Sequence, residues 1–179
     1  MPSECERCPE LCESRTRIVD GVGPVDADLM FVGEAPGQQE DEQGEPFVGQ
    51  SGTILDNALD QTTLRREDVF ITNAVRCRPE DNRDPTALEK TNCYDYLERE
   101  IMTVDPALIM PLGAQPASVL LPDSVPYAVT GDAGETFTAL HGPKERTIML
   151  NMHPAATIYG QDRKATFTEA VQSAVEYVQ

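Results

Sequence analysis

Three sets of side chains in this sequence suit chemistry on a planar, hydrogen-bonding ring. The first lies between residues 33 and 52, a connection rich in glycine, proline and carboxylate that holds Glu34, Glu40 and one out-of-place aromatic, Phe47. Loops longer than about 12–15 residues inside a compact domain are uncommon and usually functional. The second is Asn73, after the apolar run 69–72, and the third is His153, after the run 147–151. An aromatic face can carry a stacked base, an amide can read its edge, and an imidazole can donate to a carbonyl that gathers negative charge. Taken singly, Asn73 equally suits a turn cap and His153 an ordinary buried histidine. Their convergence is what makes a pocket.

Five cysteines, at positions 5, 8, 12, 77 and 93, form a separate set. In a reducing compartment an odd number at these spacings points to a metal site rather than to disulfides. Cys5 and Cys8 form a C-x-x-C clamp, while Cys77 and Cys93 lie far along the chain. Four thiolates hold either tetrahedral zinc or an iron–sulfur cluster, and the lack of a second close pair favours the cluster. Cys12 is an alternative to Cys8; Cys5, Cys8, Cys77 and Cys93 are the preferred ligands.

The elements that must position these residues read as strands alternating with helices. Strands are expected at 29–32, 69–72, 107–112 and 147–151, and a weaker β-excursion over 126–146. Helices are expected over 3–17 (short), 53–61, 86–104, 114–121 and the terminal segment, where Phe167, Val171, Ala174, Val175 and Val178 share a face. On the helix from 86, Leu88, Tyr94, Leu97 and Ile101 are expected on the apolar side. Such alternation predicts one α/β domain spanning residues 1–179, with a mostly parallel sheet covered on both sides. Glu34, Asn73 and His153 then open onto one sheet edge, where ligands bind. The start of the helix near 49–52 is expected to leave free amides facing that crevice.

The chain of 179 residues carries 31 acidic against 14 basic residues, a net charge of −17. On its face this argues against nucleic acid, whose phosphates draw on Lys/Arg surplus. Only three of the basic residues are lysines and eleven are arginines, the pattern expected of a protein working in molar salt. There the Debye length is about 3 Å and long-range repulsion nearly vanishes, so net charge no longer excludes DNA. No apolar run is long enough to span a membrane and no secretory signal is evident, so a cytoplasmic location is expected.

At this point the motifs resemble a known family, the family 4 (iron–sulfur) uracil-DNA glycosylases. Residues 32–37 with Glu40-Asp41, Gly44, residues 46–49 and Ser51-Gly52 are similar to that family's first motif. Ile71-Thr72-Asn73 with Cys77-Arg78-Pro79, Asn82-Arg83 and Pro85 is similar to the second block, and His153-Pro154-Ala155 to the third. The four-cysteine pattern is similar to its [4Fe–4S] ligand set. The resemblance implies a three-layer α/β/α sandwich around a four-stranded mostly parallel sheet, and an enzyme that removes uracil from DNA in base excision repair.

Carried over by position, Phe47 stacks on the flipped base and Asn73 hydrogen-bonds its edge. His153 steadies charge at the pyrimidine O2, and backbone near Gly33 and Glu34 contacts the base. Glu34 positions the water or stabilises a cationic sugar, and Glu40 crowds the thymine methyl. Arg76, Arg78 and Arg83 are expected to face DNA phosphates. Uracil-containing DNA is the implied substrate, with a sliding clamp or other repair proteins as candidate partners, no membrane, and a monomeric chain. After His153 the sequence departs from the family's leucine-rich wedge, leaving Ile158 or Tyr159 for that part. Two alternatives stand beside this reading: a non-catalytic iron–sulfur or zinc DNA-binding protein on the same scaffold, and a nucleotide-binding module, which lacks the phosphate-loop lysine.

Overall fold

The computed structural model describes residues 4–179. Five strands run β1 (Leu29–Gly33), β2 (Phe70–Asn73), β3 (Leu108–Pro111), β4 (Thr136–His141) and β5 (Lys144–Met149). They form one sheet in the order β2-β1-β3-β5-β4, parallel except for β4, which pairs antiparallel with β5. The sheet is therefore five-stranded, not four-stranded. The segment expected as a loose β-excursion turns back at Gly142 (φ 60°) and adds β4 as an edge strand.

Strand alternation sends side chains to two faces. Leu29, Phe31, Ile71, Leu108 and Met110 meet α3 (Gln50–Leu59) and α6 (Gln161–Tyr177) through Leu55, Leu59, Phe167 and Val171. Met30, Val32, Phe70, Ile109 and Ile148 meet α4 (Ala87–Val104) and α5 (Ala114–Leu120) through Leu97, Ile101, Ala117 and Leu120. Helices on both faces give the α/β/α layering, and β1 is buried at every position because it packs on both sides.

Local sequence explains the ends of these elements. Thr86 starts α4 with a reciprocal capping box: its hydroxyl accepts from the Glu89 amide, and Glu89 accepts from the Thr86 amide. The buried face of α4 is Glu89, Tyr96, Leu97, Glu100, Ile101 and Val104, whereas Leu88, expected inside, is 69% exposed because at about 3.6 residues per turn it falls on the helix side opposite Leu97. The connection over 33–52 contains its own short helix, α2 (Gln38–Gln43), closed by Gly44 at φ 84°. Asp41 is buried beneath it and accepts from the Thr16 and Arg17 amides, which pins the loop to the segment after α1 (Pro9–Ser14).

Candidate active site

Parallel register brings the first two motifs together. Gly33 is the register partner of Asn73, and pairing continues past the strands as Ala74 and Val75 donate to the carbonyls of Gly33 and Glu34. On the other side of β1, Leu112 bridges Asn151, and the Gly113 amide donates to the Asn151 carbonyl. Asn151 is fully buried: its amide donates to the Phe167 carbonyl and its oxygen accepts from the Met152 amide, turning the chain into His153. A Cβ at Gly113 would lie 3.2 Å from the His153 Cβ, so β3 and His153 approach as closely as a glycine permits.

The resulting cleft, of about 410 Å³, is lined by Glu34, Glu40, Phe47, Asn73 and His153, with Ala35, Pro36, Gly37, Ser51, Pro79, Asn82, Arg83 and Asp84 completing its wall. Gly33 lies behind this lining: a Cβ there would be 2.3 Å from Asn73 Oδ1 and 2.4 Å from the Phe47 ring. Only a residue without a side chain lets the amide and the ring stand where they do.

His153 starts the 3₁₀ turn Pro154–Tyr159, and its Nδ1 accepts from the Ala155 amide at 3.2 Å. Burial pushes its pKa down, so the ring is neutral near pH 7 and its proton sits on Nε2, the nitrogen left to donate. Glu34 has the opposite shift. Burial, reinforced by the facing Asp84 carboxylate and only partly relieved by Lys90, raises it to about 7. Asp84 accepts from Gln115 at 2.8 Å, and Gln115 in turn accepts from Lys90.

Glu40 lines the cleft and also braces it: one carboxylate oxygen accepts from the amides of Val48 and Gly49. The helix start expected to be bare is thus capped in part from within the loop, while Ser51 still faces the cleft.

The arginines expected at DNA phosphates separate into three situations. Arg76 is buried, paired with Asp20 and Glu100 at 2.7 Å each and donating to the Tyr96 carbonyl, so it builds the core. Arg83 is gripped by both oxygens of Glu89 and by Glu10. Arg78 is held by Asn82 at the cleft rim and stays accessible. Ile158 and Tyr159 are 51% and 81% exposed, with Arg163 and Lys164 exposed just beyond.

The cysteines gather at a second recess, lined by Cys5, Cys8, Cys77 and Cys93 together with Arg7, Leu11, Arg15, Val75, Asn92 and Tyr96. Cys12 is absent from that lining and donates instead to the Cys5 carbonyl. Arg15 donates to the Cys77 sulfur at 3.0 Å and to the Cys5 carbonyl, and Asn92 donates to the Cys8 sulfur. All five thiols are free, and among the described residues no three Cys, His, Asp or Glu side chains are drawn in as closely as the ligands of a single ion.

Sequence reasoning missed Asp84 as a cleft residue. Its chain position, between motif residues and a proline, resembles any turn aspartate. It also missed Arg66, which reaches the Pro46 carbonyl from outside the site.

Comparison with known proteins places the chain in a family. The family model described as the uracil DNA glycosylase superfamily matches residues 21–175. The type-4 uracil-DNA glycosylase of Archaeoglobus fulgidus is 41% identical over 157 residues, covering 87% of this chain and 78% of its own. That of Sulfurisphaera tokodaii is 37% identical over 168 residues (92% and 76%), and that of Thermotoga maritima 39% over 152 (85% and 77%). With its motifs on one cleft and its likeness running along most of its length, the chain belongs to the type-4 uracil-DNA glycosylases of the uracil DNA glycosylase superfamily.

Proposed function

We propose that the cleft takes a uracil flipped out of DNA and hydrolyses its N-glycosidic bond, leaving an abasic site for base excision repair. The observation that carries this is the convergence of Phe47, Asn73, His153 and Glu34 on one cleft at the carboxyl ends of the parallel strands. Flipping costs a few kcal/mol, least at a mismatch. Phe47 offers its face to the ring and Asn73 reads the edge that separates uracil from cytosine. As the C1′–N1 bond breaks, both electrons leave with the base. The Nε2–H of neutral His153 donates to O2, where that charge collects. Glu34, as carboxylate, balances the cationic sugar and holds the water that adds to C1′, taking up the proton which that addition releases. Glu40 leaves too little room for a thymine methyl. Ile158 or Tyr159 fills the gap in the duplex, and Arg78, Arg163 and Lys164 meet phosphates.

Cys5, Cys8, Cys77 and Cys93 are the proposed ligands of a [4Fe–4S] cluster. The supporting observation is that these four thiols, and not Cys12, share one recess. Burial pushes the Cys8, Cys77 and Cys93 thiols up, so a cationic centre there supplies the stabilisation that thiolates need. Such a cluster contributes a cross-link between the N-terminal segment and the loop after β2, apart from chemistry at the base.

On this reading residues 1–179 act as one domain, a cytoplasmic monomer suited to high salt, with a sliding clamp or other repair protein as candidate partner. Among the described residues no helix is long and apolar enough to cross a membrane. The test is abasic-site formation on uracil-containing single- and double-stranded oligonucleotides at low and molar KCl, with size-exclusion chromatography for the oligomeric state. Absence of abasic sites at every salt concentration overturns the glycosylase reading.

A further inference from the structure

The backbone that presents Phe47 is held from both sides. Phe47 lies at φ 54°, in the left-handed region that a bulky side chain rarely adopts, and is only 6% exposed. Such a conformation persists where its surroundings over-determine it. Gly52 packs so tightly that a Cβ there would stand 1.8 Å from the Phe47 carbonyl oxygen. On the downstream side Glu40 accepts from the amides of Val48 and Gly49 at 3.1 and 2.9 Å. On the upstream side Arg66, from the 3₁₀ turn Arg66–Asp68, donates through Nη2 to the Pro46 carbonyl at 2.6 Å. Its Nη1 pairs with Asp56 of α3 at 3.0 Å.

We propose that Arg66 is a positioning residue of the glycosylase reaction: bridging Asp56 and the Pro46 carbonyl, it fixes the Phe47 backbone so that the ring stands ready before a base arrives. Arg66 does not line the cleft, so it acts through the groups that it holds. A guanidinium suits this part because its fork engages two acceptors in fixed directions at once, which the point charge of a lysine does not reproduce. Holding a loop residue in its bound geometry in advance strengthens the complex by removing the ordering that binding would otherwise impose. Glu40 has the matching part on the other side, which gives that carboxylate a second role beside its place in the cleft wall.

The inference rests on Phe47 being the stacking platform, and a double-mutant cycle tests the two separately. kcat/KM and inhibition by free uracil are measured for the wild type, Arg66→Ala, Arg66→Lys, Phe47→Ala and the Phe47→Ala/Arg66→Ala double variant, each checked for native folding by circular dichroism. Arg66→Ala is expected to lower kcat/KM about tenfold and to weaken uracil inhibition, the loss expected for one charge-assisted hydrogen bond. Arg66→Lys recovers only part of it. Added to Phe47→Ala, the Arg66 change has little further effect, because the group it positions is gone. Additive effects in the cycle, or full activity in Arg66→Ala, overturn the inference. Should Arg66→Ala fail to fold, Arg66→Lys carries the same cycle. A wild-type enzyme inactive on uracil strikes the proposed function; an active wild type with an additive cycle strikes only the part given to Arg66.

Discussion

The base cleft and the cysteine recess both grow from the end of β2 and the segment after it, Asn73 serving one and Cys77 the other, yet they are built in opposite ways. The cleft is shaped by what is missing. Gly33, Gly52 and Gly113 each leave a space that a neighbouring group fills, and strand register does the rest. The recess is assembled by reach. Arg15 spans from the end of α1 to Cys77, Asn92 reaches Cys8, and Arg7 holds the Asn92 carbonyl and Asp95 across more than eighty residues of sequence. Steric exclusion is indifferent to salt, whereas exposed ion pairs such as Arg7–Asp95 weaken as ionic strength rises. Damage to the cleft should therefore appear in catalysis, and damage around the recess in stability.

Four measurements can break that contrast. The largest effect is expected for His153→Ala, which removes the proposed oxyanion-type donor and should lower the single-turnover rate by about 10²–10³ while the melting temperature stays near wild type. Gly33→Ala comes next. Its methyl would meet Asn73 Oδ1 and the Phe47 ring at 2.3 and 2.4 Å, and a displacement of that order lowers the rate about 10²-fold. An active Gly33→Ala enzyme would mean that the cleft yields more easily than its packing indicates.

Glu34 supplies the third. With its pKa raised to about 7, kcat/KM should fall about tenfold per unit as pH drops below that value, and Glu34→Gln should be slow and lack this limb. Because the folded value lies above the ordinary 4.5, ionising Glu34 opposes folding progressively as pH rises from 4.5 through 7. The Gln variant should consequently melt higher than wild type at pH 8, pairing lost activity with gained stability.

Glu89→Ala, at a residue that lines neither site, should do the reverse. It breaks the α4 capping box and the Arg83 bridge, lowering stability by on the order of 2 kcal/mol with a smaller change in rate. In the wild type the Arg83 hydrogen bond holds Glu89 near 2. Its contribution is present above pH 4.5 and fades as pH falls toward 2, which acid titration of folding can follow.

Strand and helix order was legible in the sequence because apolar runs and glycine or proline boundaries agree along most of the chain. Asn73 and His153 were legible because each follows such a run, and Phe47 because it is the one aromatic in a polar loop. The four cysteines could be grouped only as a set, since nothing in their spacing says that Cys12 turns away. Arg76 was misassigned to DNA: the sequence places it among arginines of a polar loop, and only folding brings Asp20, Glu100 and Tyr96 around it. Asp41 looked like one more acidic residue on an acidic surface, but the amides that it binds belong to a segment 24 and 25 residues away. Leu88 shows a misread period, since at about 3.6 residues per turn it stands on the helix side opposite Leu97. The fifth strand was hidden because β4 is an edge, exposed on one side and correspondingly weak in pattern.

That edge has a further consequence. At the opposite margin of the sheet, Val22 exchanges both backbone hydrogen bonds with Ile71 and closes β2. Among the described residues the open row of amides and carbonyls lies along β4, beside Leu140, an apolar side chain 67% exposed. If copies of this chain join sheet to sheet under stress, the join begins there, and a lysine at position 140 is the change that would deny it a start.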